Sequence, residues 1–187
     1  MLNSKVKKYN ICVFCGSKPG KNKSFLKIAS ELGRELSKKG YTVIYGGGSS
    51  GIMGALADSV LKHKGKLISI IPKNLTAKNV TLKKSFKIIV TKDFVERKKL
   101  MIKKATIFIV LPGGFGTLDE LFEVISLNQL NIINKKIILL DVDNFWNPLE
   151  KLLISINKEG FKYKIKDSNI TFKNSVNKTI KFIENNI

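Results

Sequence analysis

The sequence is poor in histidine and cysteine, and each shortage excludes a class of site. His63 is the only histidine, so a histidine-based catalytic triad would have a single candidate, and we do not expect one. Cys12 and Cys15 are the only cysteines, and they form a C-x-x-C within an apolar, strand-like run. Residues three apart in a strand point to opposite faces, so we expect two separate buried thiols and no structural zinc or other metal site.

Long apolar runs are also missing. No segment approaches the roughly 20 apolar residues that a membrane-spanning helix needs. The basic N-terminus leads into an apolar run that lacks the small-residue cleavage site of a signal peptide. We therefore expect a cytoplasmic protein with no membrane partner. Its 187 residues are long enough for one sizeable core and too short for two ordinary domains, which predicts a single domain over residues 1–187.

Acidic residues are scarce, with 14 against 34 basic residues and a net charge of +20. Such a charge attracts anions and is compatible with a nucleic-acid partner. However, only Arg34 and Arg97 are arginines, no block of five or six consecutive like charges occurs, and the lysines are not interleaved with aromatic residues. We favour a compositional bias toward lysine over nucleic-acid binding. In a chain where lysine is the usual basic residue, an arginine indicates that its position needs this particular side chain.

Strand-like and helix-like patterns alternate along the chain. Strands are predicted at about 9–15, 42–45, 67–71, 86–90, 106–111 and 136–141, and helices at about 25–36, 51–63, 93–104, 117–130, 145–157 and 174–186. This alternation predicts an α/β fold: a single doubly wound, Rossmann-like domain with a mainly parallel sheet and helices on both faces. The most apolar strand, 106–111, is expected in the middle of the sheet.

Three glycine-rich segments directly follow predicted strands, at the carboxyl edge where such sheets bind ligands. Glycines there let backbone N–H groups approach an anion, and the next helix adds the positive end of its dipole. The segments predict a phosphate or nucleotide site, with simple tight turns as the alternative. The residues expected at this site are Gly16, Ser17, Gly47, Gly48, Gly113, Gly114, Phe115 and Gly116. No dinucleotide-binding fingerprint and no Walker A loop is present.

Arg97 and Glu120 are the candidate catalytic residues. Glu120 ends the stretch P-G-G-F-G-T-L-D-E, and Arg97 belongs to the start of the preceding helix, so both should face one cleft at the carboxyl edge. A guanidinium can fix a phosphate or a sugar, and a carboxylate can stabilise positive charge on a sugar ring or orient water. A purely structural alternative is that Thr117 and Glu120 form a capping box.

The segments D-F-V-E-R-K (93–98) and P-G-G-F-G-T-L-D-E (112–120) resemble the double signature of the Lonely Guy family of cytokinin riboside 5′-monophosphate phosphoribohydrolases. Shorter agreements extend the resemblance from about residue 11 to residue 160. It implies a homodimer, catalysis by Arg97 and Glu120, phosphate binding by residues 114–117 including Thr117, and nucleotide contacts from Lys98 and Ser126.

The chain departs from the family pattern at three places. It has Phe94 and Val95 where many members have Met-His, Asn79 where many carry an acidic residue, and Leu127 where a tryptophan is common. These positions bear on the preference for the base.

The expected reaction is hydrolysis of the N-glycosidic bond of a nucleoside 5′-monophosphate, either a cytokinin riboside monophosphate or AMP. The products are the free base and ribose 5-phosphate, and neither a metal nor a cofactor is needed. Asp93 is a candidate for assisting the leaving base. The alternatives are a non-catalytic carrier of a nucleotide or of the molybdenum cofactor on the same fold, and a basic nucleic-acid-binding protein.

Overall fold

The computed structural model describes residues 9–76, 85–161 and 169–187, in which strands and helices alternate. The strands are β1 (Asn10–Phe14), β2 (Thr42–Tyr45), β3 (Lys66–Pro72), β4 (Lys87–Thr91), β5 (Ile107–Val110), β6 (Ile137–Leu140) and β7 (Ile170–Lys173). The helices are α1 (Ser24–Lys38), α2 (Gly51–Lys62), α3 (Lys73–Thr76), α4 (Phe94–Lys104), α5 (Phe115–Gln129), α6 (Asn147–Lys158) and α7 (Val176–Glu184).

The seven strands form one parallel sheet in the order β4-β3-β2-β1-β5-β6-β7. The chain builds outward from β1 to β4, then returns to the other side of β1 and builds outward again through β5, β6 and β7. The strand order therefore reverses between β1 and β5, where an open α/β sheet has its ligand-binding crevice. The predicted doubly wound α/β domain is confirmed.

Two apolar layers cover the sheet. Helices α1, α2 and α7 bury their apolar sides on one face, and α4, α5 and α6 pack on the other. Cys15 belongs to the first layer and Cys12 to the second, as the spacing of three predicted. Both thiols are free and buried, and burial raises the pKa of each above its usual value, so neither is a reactive thiolate.

Besides end shifts of about two residues in α6 and α7, the structure corrects the sequence prediction at β7, α3 and the start of α5. Strand β7 was not predicted, because its four residues are all half-buried and give neither an alternating nor a continuous apolar pattern. The one-turn helix α3 was missed for a similar reason, since it buries none of its residues. Helix α5 begins at Phe115 with Gly114 as its N-cap, two residues earlier than predicted. Thr117 and Glu120 thus lie inside the helix, and the capping-box interpretation is wrong.

A side-chain cap does occur one helix earlier. The Asp93 carboxylate accepts a hydrogen bond from the backbone N–H of Glu96 at 2.8 Å and so fixes the start of α4. The Glu96 carboxylate accepts one from the backbone N–H of Lys92 at 2.7 Å. Both bonds satisfy donors at a helix end. None of the helices in the described part of the chain is long and apolar enough to cross a membrane.

Candidate functional site

A cleft of about 670 Å³ opens at the carboxyl edge of the sheet, over the point where the strand order reverses. The turns that follow β1, β2 and β5 converge on it. Ten of the residues predicted from the sequence line this cleft: Gly16, Ser17, Gly48, Arg97, Gly113, Gly114, Phe115, Gly116, Thr117 and Glu120. The convergence of three glycine-rich segments that the sequence predicted is therefore present in the fold.

The segment from Gly113 to Gly116 forms a cradle at the start of α5, which we call the anion cradle. The backbone N–H of Gly16 donates to the carbonyl of Pro112 at 3.1 Å, which ties the end of β1 to this turn. The first N–H groups of a helix lack partners within it and carry the positive end of the dipole. A Cβ atom on Gly114 or Gly116 would meet nothing within 4 Å, so both glycines border open space at this turn. Such a cradle suits a phosphate group.

Arg97 and Glu120 form a buried ion pair beside the anion cradle. Arg97 Nη2 lies 2.7 Å from Glu120 Oε1, and the two side chains are only 11% and 8% exposed. Arg97 Nε also donates to the carbonyl of Ile70 at 3.2 Å. A Cβ atom on Gly46 would collide with the guanidinium, so glycine is required there for the arginine to fit. Arg97 is thus held in one orientation by α5, β3 and the turn after β2.

Burial raises the pKa of Glu120 from 4.5 to about 7, although the Arg97 guanidinium opposes the shift. Removing a carboxylate from water penalises its charged form, and the single hydrogen bond from Arg97 compensates only in part. Glu120 therefore exchanges between its protonated and ionised forms near neutral pH. A carboxyl group with such a pKa, in a cleft and beside an arginine, is suited to acid–base chemistry.

Four other predicted contact residues belong to the described part of the chain but do not line the cleft: Gly47, Asp93, Lys98 and Ser126. Asp93 is occupied in capping α4, and Gly47 adopts a φ of 82° against the side chain of Ile71. Ser126 is exposed on α5, eleven residues after Phe115, which is about 16 Å along the helix axis. Asn79 lies outside the described residues.

Lys98, the fourth of these residues, joins α4 to α5. Its ammonium group lies 2.8 Å from Glu123 and 3.0 Å from Asp119, and hydrogen bonds to these two carboxylates raise its pKa. Lys98 thereby holds together the two helices that carry Arg97 and Glu120.

Several cleft residues were not predicted from the sequence, and most of them are apolar. Phe94, Leu75 and Ile71 lie toward the β3 and β4 side, and Phe25 and Phe145 toward the β6 side. The sequence marked Phe94 only as a departure from the family pattern, three residues before Arg97. It gave no signal for the others, which lie within β3 (Ile71), within α3 and α1 (Leu75 and Phe25) and between β6 and α6 (Phe145). Among the described residues, no group of three or more metal-ligating side chains occurs.

Comparison with known proteins identifies the family of the chain. Residues 53–183 match a family model described as "possible lysine decarboxylase". The chain is 42% identical over 151 residues to the cytokinin riboside 5′-monophosphate phosphoribohydrolase LOG3 of Arabidopsis thaliana, a match that covers 81% of this chain and 70% of that one. The chain belongs to the Lonely Guy family. The family name was predicted from the two sequence signatures and is confirmed.

The match to rice members of the Lonely Guy family is similar in strength. The chain is 42% identical over 151 residues to cytokinin riboside 5′-monophosphate phosphoribohydrolase LOG of Oryza sativa subsp. japonica, covering 81% of this chain. It spans 62% of that relative's length and about the same share of two further rice relatives.

The fold is shared more widely than the family. The molybdenum cofactor carrier protein of Chlamydomonas reinhardtii superimposes with a TM-score of 0.74 over 96% of this chain and 98% of its own, at 18% identity. At that identity, the likeness concerns the fold alone.

Proposed function

We propose that this chain hydrolyses the N-glycosidic bond of a nucleoside 5′-monophosphate, releasing the free base and ribose 5-phosphate. The observation that carries the proposal is the buried Arg97–Glu120 pair next to the anion cradle. A binding protein needs the cradle, but it does not need a carboxyl group whose pKa is raised to about 7. The names of the relatives, which are phosphoribohydrolases acting on cytokinin riboside monophosphates, support the same reaction.

The anion cradle would hold the 5′-phosphate and so place the sugar over Arg97 and Glu120. Binding energy from the phosphate, which does not react, would then position the reacting carbon. The bond from C1′ to the base nitrogen breaks with its electron pair leaving on the base, and the oxygen of water bonds to C1′. That water loses one proton and keeps the other in the new C1′ hydroxyl group, and the departing base takes up one proton.

Glu120 and Arg97 would have different roles in this step. Ionised Glu120 would stabilise the positive charge that develops on the sugar ring, or take the proton of the attacking water. Arg97 would hold Glu120 in place and bind the sugar or the phosphate through its remaining N–H donors. Asp93, the candidate for assisting the leaving base, is occupied at the start of α4, and this geometry does not support that role.

The decisive experiment is incubation of AMP with the purified protein in a chelator, followed by chromatography for adenine. We expect adenine from the unmodified protein and none above background from the Glu120→Gln variant. AMP that binds without being cleaved would favour the carrier alternative, and strict dependence on a divalent ion would contradict the mechanism. Parallel assays with cytokinin riboside monophosphates would identify the preferred base.

We further propose that the protein is a homodimer formed through the face of α4, α5 and α6. Helix α6 fully buries only Leu149, while Leu152 and Ile154 are 50% and 62% exposed. Leu130 and Ile132, which follow α5, are 59% and 64% exposed. Light scattering should give twice the chain mass, and Ile154→Glu should reduce it to the mass of one chain. Residence in the cytoplasm stays a prediction from the sequence.

A further inference from the structure

The glycine-rich turn that follows β2, residues 46–48, makes room for two side chains of the cleft. A Cβ atom on Gly46 would collide with the Arg97 guanidinium and would lie 3.3 Å from the sulfur atom of Met53. A Cβ atom on Gly48 would lie 3.2 Å from the same sulfur. The Met53 thioether and the Arg97 guanidinium therefore lie side by side against this turn, in space that a side chain at either glycine would fill.

Met53 is held in this position from the start of α2. It is the third residue of that helix, and its backbone N–H donates to the carbonyl of Gly16 at 3.1 Å. Its side chain is half-buried, packs partly against the core and lines the cleft. The sulfur atom of Met53 thus reaches the cleft next to the guanidinium of the proposed catalytic pair.

The other sulfur atoms in the described part of the chain are shielded. Met101 and Cys12 are fully buried. Cys15 borders the cleft but is only 5% exposed, and burial raises the pKa of its thiol, which therefore stays protonated and reacts slowly with oxidants. A thioether needs no deprotonation to react. Met53 therefore carries the sulfur atom that a small oxidant entering the cleft meets first.

We propose that Met53 is an oxidation site, at which a hydroperoxide converts the thioether into a sulfoxide and thereby weakens ligand binding at Arg97. A sulfur lone pair attacks one oxygen of hydrogen peroxide, so that an S–O bond forms and the O–O bond breaks. The proton of the transferred oxygen moves to the departing oxygen, which leaves as water. Sulfur loses two electrons and the peroxide gains them. Methionine sulfoxide is stable until a reductase converts it back.

The sulfoxide acts on the cleft through Arg97. Its oxygen is a polar hydrogen-bond acceptor, whereas the thioether is a weak one. The guanidinium has five N–H donors, of which Nε serves the Ile70 carbonyl and one on Nη2 serves Glu120. The remaining donors are those that would bind a sugar or phosphate, and the sulfoxide oxygen competes for them. This consequence rests on the proposed function, but the oxidation of Met53 does not.

The site is tested by treating the purified protein with hydrogen peroxide in a chelator and locating the added oxygen by peptide mass spectrometry. We expect Met53 to gain one oxygen atom before Met101 or either cysteine does. Met1, which lies outside the described residues, is present in every variant and does not affect the comparison. Oxidation of a cysteine first, or equal rates at Met53 and Met101, would overturn the proposal.

The consequence is tested by measuring the Kd of ribose 5-phosphate before and after peroxide treatment. This ligand has no base to lose, so its binding is independent of turnover. We expect oxidation to raise the Kd about tenfold, the loss of one hydrogen bond to a charged group. A methionine sulfoxide reductase with a dithiol should reverse the change. Because each protein is compared with itself, the result does not depend on how a substitution affects the untreated protein.

Met53→Leu and Met101→Leu are matched variants, because leucine fills a similar volume without a sulfur atom. Peroxide should leave the Kd of Met53→Leu unchanged and should raise that of Met101→Leu as in the unmodified protein. Met53→Gln carries an amide oxygen at the same place and should have a raised Kd without any oxidant. Thermal melts of each variant verify that it is folded.

The outcomes separate this inference from the proposed reaction. If oxidation of Met53 leaves the Kd of ribose 5-phosphate unchanged, or if peroxide weakens binding equally in Met53→Leu, the inference is overturned while release of adenine from AMP can still be observed. If the unmodified protein leaves AMP intact, but Met53 is oxidised first and binding of ribose 5-phosphate weakens, the proposed hydrolysis fails and the oxidation site stands.

Discussion

At the scale of single residues, the catalytic role that we propose for Glu120 can be tested by removing its charge. Glutamine at this position keeps the shape and can still accept a hydrogen bond from Arg97, but it carries no charge. We expect Glu120→Gln to reduce kcat by about 10²-fold or more, the low end of what a positioned acid–base group contributes. The value of kcat is measured as the steady-state rate at which adenine is released from AMP. Turnover near the unmodified rate in a folded variant would refute the assignment.

The raised pKa of Glu120 makes a separate prediction about stability. The folded protein keeps the Glu120 proton up to about pH 7, whereas the unfolded chain releases it near pH 4.5. The preference of the folded state for this proton therefore stabilises the protein fully below pH 4.5, and this contribution is lost as the pH rises through 7. The Glu120→Gln variant has no ionisable group at this position, so its stability does not contain this contribution. The unmodified protein should lose on the order of 3 kcal/mol relative to the variant between pH 4 and pH 8. Urea unfolding of both proteins across this pH range measures the difference. If their free energies of unfolding change in parallel with pH, the raised pKa of Glu120 is contradicted.

Arg97 offers a test with an unusually good control, because the chain has only one other arginine. Lysine keeps the charge but loses the planar fork that bonds Glu120 and the Ile70 carbonyl at once. We expect Arg97→Lys to lower kcat/KM roughly tenfold or more, the effect of losing one charge-assisted hydrogen bond. Arg34 pairs with Glu35 on the surface, so Arg34→Lys should leave activity unchanged. Equal activity of the two variants would exclude a role for the fork.

At the scale of elements, the first turn of α5 combines a helix start with the anion cradle. Alanine at position 116 suits a helix better than glycine, by about 0.5–1 kcal/mol, and it would meet no neighbouring atom. The same methyl group would occupy the space left for a phosphate. We therefore expect Gly116→Ala to melt no lower than the unmodified protein and yet to raise KM for AMP about tenfold, the loss of one hydrogen bond to a charged group.

Adenosine is the internal control for this variant because it lacks the phosphate. Its hydrolysis should be slow in the unmodified protein and unaffected by Gly116→Ala. If adenosine is cleaved as efficiently as AMP, or if the KM for AMP does not change, the phosphate is not held at the start of α5.

At the scale of the whole molecule, the net charge of +20 should cause only weak, salt-sensitive binding of nucleic acid. Not every lysine is free to bind a phosphate, since Lys98 is paired with the carboxylates of Asp119 and Glu123. We expect fluorescence anisotropy with single-stranded DNA to show affinity that falls steeply with added salt and is micromolar or weaker near 0.15 M. Nanomolar binding under those conditions would support the nucleic-acid alternative instead.

Local signals in the sequence were sufficient for most of the fold. Strand β5, the neighbour of the middle strand β1, was predicted at 106–111 because an uninterrupted apolar run suits a strand covered on both faces, and all four of its residues are buried. The glycine clusters predicted the position of the cleft, since their place after strands implies the carboxyl edge. Strand β7 and helix α3 escaped prediction because each is four residues long and only partly covered, so neither has a pattern of its own.

The sequence by itself determined the α/β class, the edge of the sheet at which the cleft opens, and the two candidate catalytic residues, because periodicity and residue chemistry are local properties. Only the tertiary structure decided that Arg97 and Glu120 touch, since the 2.7 Å contact depends on how α4 and α5 pack on one face of the sheet. Only burial, which arises from that packing, raises the pKa of Glu120 to about 7. The sequence suggested a helix cap for Glu120, and the fold places it inside the helix and opposite an arginine.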